Sequence, residues 1–257
     1  MKKEIKNKYF KKIEIHNGIL DYSNSVDFYK QYLETPRLDW QNEMRRPVRH
    51  NIFVAMCATH AKYGQNPQHL IDKVKDDGGK IYFWSDLHLF HHNIIRYTSR
   101  PFETTDHMNQ TMVGNYWSIV TEKDLVIFGG DVGFGEIEPI QQMLKMLPGK
   151  KVLVLGNHDF DKNKCIFRNY HVFDVTTMAF SFQKEVEGRA YNVLVTHYPI
   201  HHEALPENTI NIHGHIHQHL AGAKNINMSV EHTAFSPIEM DVKIEDLIKE
   251  INLRKGK

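Results

Sequence analysis

Five short tracts of this 257-residue chain carry side chains that bind divalent cations. They are Asp86-Leu87-His88, Gly130-Asp131, Gly156-Asn157-His158-Asp159, His197 and His213-Gly214-His215-Ile216-His217. Carboxylate, imidazole and amide oxygen together suit Mn, Fe or Zn better than Ca or thiolate-bound Zn. In Asp86-x-His88 and His215-x-His217, residues two apart at the end of an extended segment point the same way, so each pair is expected to reach one ion. The glycines before Asp131 and Asn157, and between His213 and His215, let backbone approach where a Cβ would forbid it. Taken singly, Asp-x-His is a weak signal and Gly-Asp a common turn; Gly-Asn-His-Asp after a buried strand is unusual, though a turn with a helix cap would also produce it, and Gly-His-x-His is moderately specific. Their ordered recurrence points to a metal centre.

The elements around the tracts explain why they should converge. Short apolar runs occur at Lys80–Ser85, Asp124–Phe128, Lys151–Leu155, Asn192–Thr196, Thr209–Ile212 and Asn225–Val230. Runs without polar alternation are expected for strands buried on both faces. Met108–Val120 and Glu138–Leu147 have helical spacing, the second stopped by Pro148-Gly149, and Val242–Leu253 reads as a closing amphipathic helix. Strands with interposed helices predict a layered α/β sandwich. The first five runs each lead into one of the metal-competent tracts, and the carboxyl ends of strands are where open α/β sheets bind ligands.

Residues 1–79 differ. Val26–Leu33, Ile52–Lys62 and Gln68–Lys75 have helical spacing broken by Pro and Gly, which predicts a mainly helical extension before a main domain at 80–257. Arg45, Arg46 and Arg49 form a small basic cluster there. With 32 Lys+Arg against 31 Asp+Glu, the whole chain is no electrostatic magnet for nucleic acid or anionic membrane. Two distant cysteines, Cys57 and Cys165, argue against a disulfide framework. No stretch approaches the ~20 apolar residues of a membrane span, so a cytoplasmic protein without membrane association is expected.

The series Asp86-x-His88, Gly130-Asp131, Gly156-Asn157-His158-Asp159, His197 and Gly214-His215-x-His217 resembles the five-block signature of the calcineurin-like metallophosphoesterases, over about residues 80–235. Asp86-Leu87-His88-Leu89-Phe90-His91-His92-Asn93-Ile94-Ile95 is further similar to small bacterial and phage members, with Phe90 where that subgroup often has Gly. The resemblance implies an α/β/β/α sandwich of two mixed sheets. It also implies a pair of divalent cations, Mn2+ first, with Fe, Zn, Ni or Mg as alternatives. Asp86, His88 and His217 would hold one ion, Asn157, His197 and His215 the other, and Asp131 would bridge both through its two oxygens. His158 would contact the phosphoryl oxygen or protonate the leaving oxygen, with Asp159 placed to orient it. The implied reaction is in-line attack by a bridging hydroxide on a phosphate ester, without a phospho-enzyme.

His91, matching the second His of the subgroup element, is a candidate for the substrate phosphate, as are Arg96 and Arg100 as a guanidinium clamp. The spacing between tracts is short, so no cap is expected from within the core. An open site favours phosphodiesters, with phosphomonoesters as a second class of ester and nucleotides or nucleic acid as expected partners. A nuclease acting on DNA or RNA is the alternative. A non-catalytic metal-binding scaffold is the remote one, since every ligand position is filled.

Overall fold

The computed structural model describes residues 66–159 and 170–255, together with the strand positions 15–16 and 19–20. The helices expected at Val26–Leu33 and Ile52–Lys62, the Arg45-Arg46-Arg49 cluster and both cysteines lie outside the described residues. Strands β1 (Ile15–His16) and β2 (Ile19–Leu20) pair antiparallel, a feature the helical spacing of this region did not signal. Helix α1 (Gln68–Asp76) forms where expected and buries Leu70, Ile71 and Val74.

Two mixed sheets follow. In the first, β3 (Ile81–Trp84), β4 (Leu125–Phe128), β5 (Lys150–Val154) and β6 (Val175–Thr177) run parallel, and β11 (Ile238–Glu239) pairs antiparallel to β3 at the edge. In the second, β10 (Asn225–Asn227), β9 (Thr209–His213) and β8 (Arg189–Thr196) run parallel, and β7 (Ala179–Val186) is antiparallel to β8. Strands β3 and β4 are buried along their whole length because both faces are covered.

Alternate side chains sort into two cores. Phe83, Ile127, Val152 and Val154 meet Phe180, Phe182, Val193, Val195, Ile210 and Ile212 of the other sheet, and Met240, Ile244 and Ile248 of α5 (Met240–Lys255) close that core together with α1. Trp84, Val126, Phe128 and Leu153 point the other way. They pack on Met108, Met112 and Tyr116 of α3 (Thr105–Ile119) and on Ile140 and Leu144 of α4 (Ile137–Met146), with Ile94 of α2 (His92–Tyr97). Fully burying one such side chain contributes about 1.5–3 kcal/mol. Helix α3 starts on Thr104, whose hydroxyl accepts from the His107 amide, and the Tyr116 hydroxyl ties its far end to the Pro148 carbonyl at 2.8 Å. Among the described residues no helix is long and apolar enough to cross a membrane.

The expected strands and long helices are present within a residue or two, save that β8 and α3 each start three residues earlier and Asn225–Val230 splits into β10 and a 3-10 turn at Val230–His232. Strand β7 had no expectation because it is an edge strand whose Ser181, Gln183 and Lys184 interrupt the apolar run. The consequence for chemistry is that β3, β4 and β5 end on one edge of the first sheet while β8 and β9 deliver His197 and His213 from the second.

Candidate metal centre

Beyond their last residues, strands β3 and β4 remain tied through the loops that follow them. The Asp86 amide donates to the Gly130 carbonyl at 3.0 Å, His88 to Asp131 at 2.9 Å and Leu89 to Val132 at 3.0 Å. The Gly214 amide donates to the His197 carbonyl at 3.0 Å, so the loops of the second sheet are joined too. The close approach of the two sheets is what excludes a side chain at Gly214: a Cβ there would overlap the Ser85 hydroxyl and the Asp86 carboxylate. Gly156 is equally constrained, since a Cβ would collide with Asp131.

The local conformation departs from the expected extended one. Asp86, His88, Asp131, His215 and His217 all have positive φ, from 47° to 71°. A non-glycine residue in this region costs on the order of 1–2 kcal/mol, and such residues cluster where a site needs them. Left-handed φ at alternate residues turns Asp86 and His88 toward one group of ligands, whereas His215 and His217, expected to reach one ion, fall in two different groups. Phe90 also lies at φ 62°, so the side chain in the place of the subgroup's Gly keeps a glycine-like backbone.

The seven expected ligands come together. Ligating atoms of Asp86, His88 and His217 lie within 4.8 Å of one another, as do those of Asp131, His197 and His215. The Asn157 side-chain oxygen is 3.3 Å from His197 Nε2, which brings it to the second group. Asp131 joins the two: its Oδ2 is 3.6 Å from His88 Nε2 and 3.6 Å from His197 Nε2. Oδ1 also accepts the His158 amide at 2.8 Å, while Oδ2 faces the two imidazoles. His88 Nε2 is buried without a hydrogen-bond partner, a costly condition that a cation at this point would relieve. The donor set and this orphaned nitrogen fit a pair of divalent ions.

Surrounding groups fix each ligand. Asp86 Oδ2 accepts from the hydroxyls of Ser85 at 2.7 Å and Ser229 at 2.9 Å, and the His215 amide donates to the same carboxylate. His197 Nδ1–H donates to the Gly129 carbonyl at 2.7 Å, which turns Nε2 toward Asp131. His217 Nδ1 lies 3.1 Å from Glu231 Oε1, a carboxylate–histidine arrangement typical of metal sites. Neither Ser85, Ser229 nor Glu231 was a sequence candidate; each stands outside the motif tracts or beside them without a distinguishing neighbour.

Electrostatics follow from burial. Desolvation holds the His88 and His215 imidazoles well below their ordinary range, in the neutral form that ligates. Burial opposes the charge on Asp131, but His197 and His158 beside it hold its carboxyl well below the usual range. Burial would likewise lower His197, yet Asp131 carries it up to about 9. A cation arriving at His197 must therefore displace a proton.

The remaining candidates separate. His158 is half-buried beside His88, with ring centroids 5.2 Å apart, and groups with His88 and Asp131. Asp159 is fully buried, and its oxygens accept the amides of Asp131 at 2.9 Å, Val132 at 3.0 Å and Gly156 at 2.8 Å. With both oxygens committed to backbone, it grips the two loops and positions Asp131 rather than the His158 ring. Burial, then the charge of Asp131, pushes the Asp159 carboxyl up. His91 comes beside the centre, its Nδ1 3.2 Å from His88 Nδ1. Arg100 corrects the expected phosphate clamp. Its side chain is fully buried, bonded to Glu231 Oε1 at 2.8 and 3.0 Å and to the Asp86 and Leu87 carbonyls at 2.7 and 2.8 Å. Those contacts hold it under the loop, away from any substrate. Arg96 is exposed on α2, 5.6 Å from the ring of its neighbour Tyr97.

A family model described as calcineurin-like phosphoesterase matches residues 79–255. The chain is 32% identical over 176 residues to Uncharacterized protein MJ1445 of Methanocaldococcus jannaschii, covering 65% of this chain and 90% of that protein. It is 26% identical over 201 residues to Gene 66 protein of Mycobacterium phage L5, covering 68% and 97% respectively. The crystal structure of AQ665, a protein of unknown function from Aquifex aeolicus, superposes with a TM-score of 0.49 at 26% identity, covering 66% of this chain and 99% of that one.

Proposed function

Because the chain belongs to the calcineurin-like phosphoesterase family, we propose that it hydrolyses phosphodiesters with two divalent cations, Mn2+ foremost, and water as nucleophile. The observation that carries this reading is the position of Asp131 Oδ2, 3.6 Å from an imidazole nitrogen of each ligand group. Asp86, His88 and His217 would hold one cation and Asn157, His197 and His215 the other, with Asp131 serving both. When bound, such a pair supplies Lewis-acid neutralisation of the phosphoryl oxygens and a water acidic enough to react at neutral pH. The chain's own residues do the rest. Ser85 and Ser229 hold Asp86, Glu231 orients His217, and Asp159 holds the loop of Asp131.

His158 is the group left to act on the substrate. Its backbone amide donates to Asp131 Oδ1, which sets the residue beside the expected ligands, and the reading assigns its imidazole to the substrate rather than to a cation. It contacts a phosphoryl oxygen or delivers a proton to the departing one, and no residue need be phosphorylated. In this reading residues 80–257 are the catalytic unit, against which α1 packs, and 1–79 are an extension.

Hydrolysis of bis-p-nitrophenyl phosphate by Mn2+-loaded protein tests the reading. His158→Gln should retain both metals and lose about 10²–10⁴-fold in kcat. Full activity in that variant would remove His158 from the reaction. A wild-type protein with full metal occupancy that is inert on this diester and on p-nitrophenyl phosphate would leave only a metal-binding scaffold.

A further inference from the structure

An aromatic shelf borders the cluster on the His158 side. Phe134 stands three residues after Asp131 and is 43% exposed, although it lies beside a buried polar centre. One face of its ring stacks on His91, with centroids 4.2 Å apart and planes inclined by 15°. Its ring meets His158 edge-on at 5.7 Å. Tyr97, 59% exposed, meets His91 edge-on at 6.2 Å from the opposite element, α2. His91 Nδ1 lies 3.2 Å from His88 Nδ1, so the ring on which Phe134 stacks is itself part of the cluster, while Phe134 keeps 43% of its surface exposed.

A single exposed apolar side chain is ordinary. An exposed ring locked by stacking, one ring away from the residue that meets the substrate, is a surface for another flat ring. Nucleobases bind such platforms through their π-faces without regard to base identity. An aliphatic residue would serve a plain alkyl ester equally well, so the aromatic choice carries chemical information. Arg96, over Tyr97 at the rim, adds a positive charge that suits an anionic ligand.

We propose that Phe134, seated on His91 and flanked by Tyr97, stacks the base of a nucleoside phosphate ester whose phosphate occupies the metal centre. This rests on the phosphoesterase reading above and names its substrate class.

The test compares adenosine 5′-monophosphate with ribose 5-phosphate as competitive inhibitors of bis-p-nitrophenyl phosphate hydrolysis. Wild type should bind the nucleotide more tightly, and Phe134→Ala should raise its inhibition constant about ten-fold while moving that of ribose 5-phosphate less than two-fold. Phe134→Trp should restore the preference, which a merely structural loop residue would not. A short oligothymidylate weakened along with the nucleotide extends the platform to polynucleotides; loss for the nucleotide alone restricts it to mononucleotides. Equal changes for both inhibitors in Phe134→Ala, or no wild-type preference for the nucleotide, would overturn the proposal. Should wild type fail to hydrolyse the chromogenic diester, the proposed function fails, and calorimetric titration of the same two ligands into Mn2+-loaded wild type and Phe134→Ala still decides whether the base is stacked.

Discussion

Asp131→Asn is expected to abolish turnover and to strip the protein of tightly held metal while leaving it folded. The amide matches the carboxylate in shape, so the contact to the His158 amide can persist through an oxygen. What disappears is the negative charge at Oδ2, the point 3.6 Å from both His88 and His197 Nε2. Two dications brought close repel each other strongly, and a shared carboxylate is what offsets that repulsion in a buried site. The loss of metal affinity should go well beyond the roughly 10–100-fold that removing an outer-shell partner costs. Metal content after dialysis, measured beside circular dichroism, reads both halves of the expectation. Retention of two equivalents by a folded variant would show that Asp131 does not join the sites. The contrast with His158→Gln, which should keep its metal, separates ligand from acid.

The second large effect is expected at a residue that never meets the substrate. Arg100→Met should destabilise the fold by about 3–5 kcal/mol, because it leaves Glu231 buried without its cation. For a domain of this size that corresponds to roughly 10 °C in Tm. Burial alone would raise the Glu231 carboxyl, but the hydrogen bond to His217 and the charge of Arg100 prevail and bring it down to about 2. A carboxyl held below its ordinary value contributes stability that is complete above pH 4.5 and fades as the pH falls toward 2. The wild type should therefore lose this contribution in acid. Adding Glu231→Leu to Arg100→Met should recover part of the stability, since an apolar pair often replaces a buried ion pair at little cost. Metal affinity would stay impaired, because His217 has then lost the carboxylate that orients it. Thermal unfolding of the metal-free single and double variants checks this; an unchanged Tm in Arg100→Met would mean that the buried pair is not holding the loop.

Much of this arrangement was legible in the residues. The tracts that lead from β3, β4, β5, β8 and β9 declare themselves through strand-then-ligand order, and the glycines at 156 and 214 mark where loops from different strands touch. The apolar runs were readable because central strands of a covered sheet need apolar side chains on both faces. Strand β7 was not, because an edge strand tolerates Ser181, Gln183 and Lys184. Side-chain direction was less readable still. Arg100 follows the first metal tract just as a phosphate clamp would, and only the fold turns it inward onto Glu231. Glu231 itself is 145 residues downstream of Asp86, in a turn without motif, yet it secures the same ion group. The convergence of Asp86 with His88 was expected from an extended chain, whereas it is produced by left-handed residues that no periodicity reveals.

One measurement goes to the centre of the matter. Crystals of the wild-type protein grown with Mn2+ and recorded at the manganese absorption edge should show two anomalous peaks per chain. The peaks should lie about 3.5–4 Å apart, one among Asp86, His88 and His217 and the other among Asn157, His197 and His215, with Asp131 between them. A single peak, or two separated widely enough that Asp131 could reach only one, would contradict a shared two-metal centre.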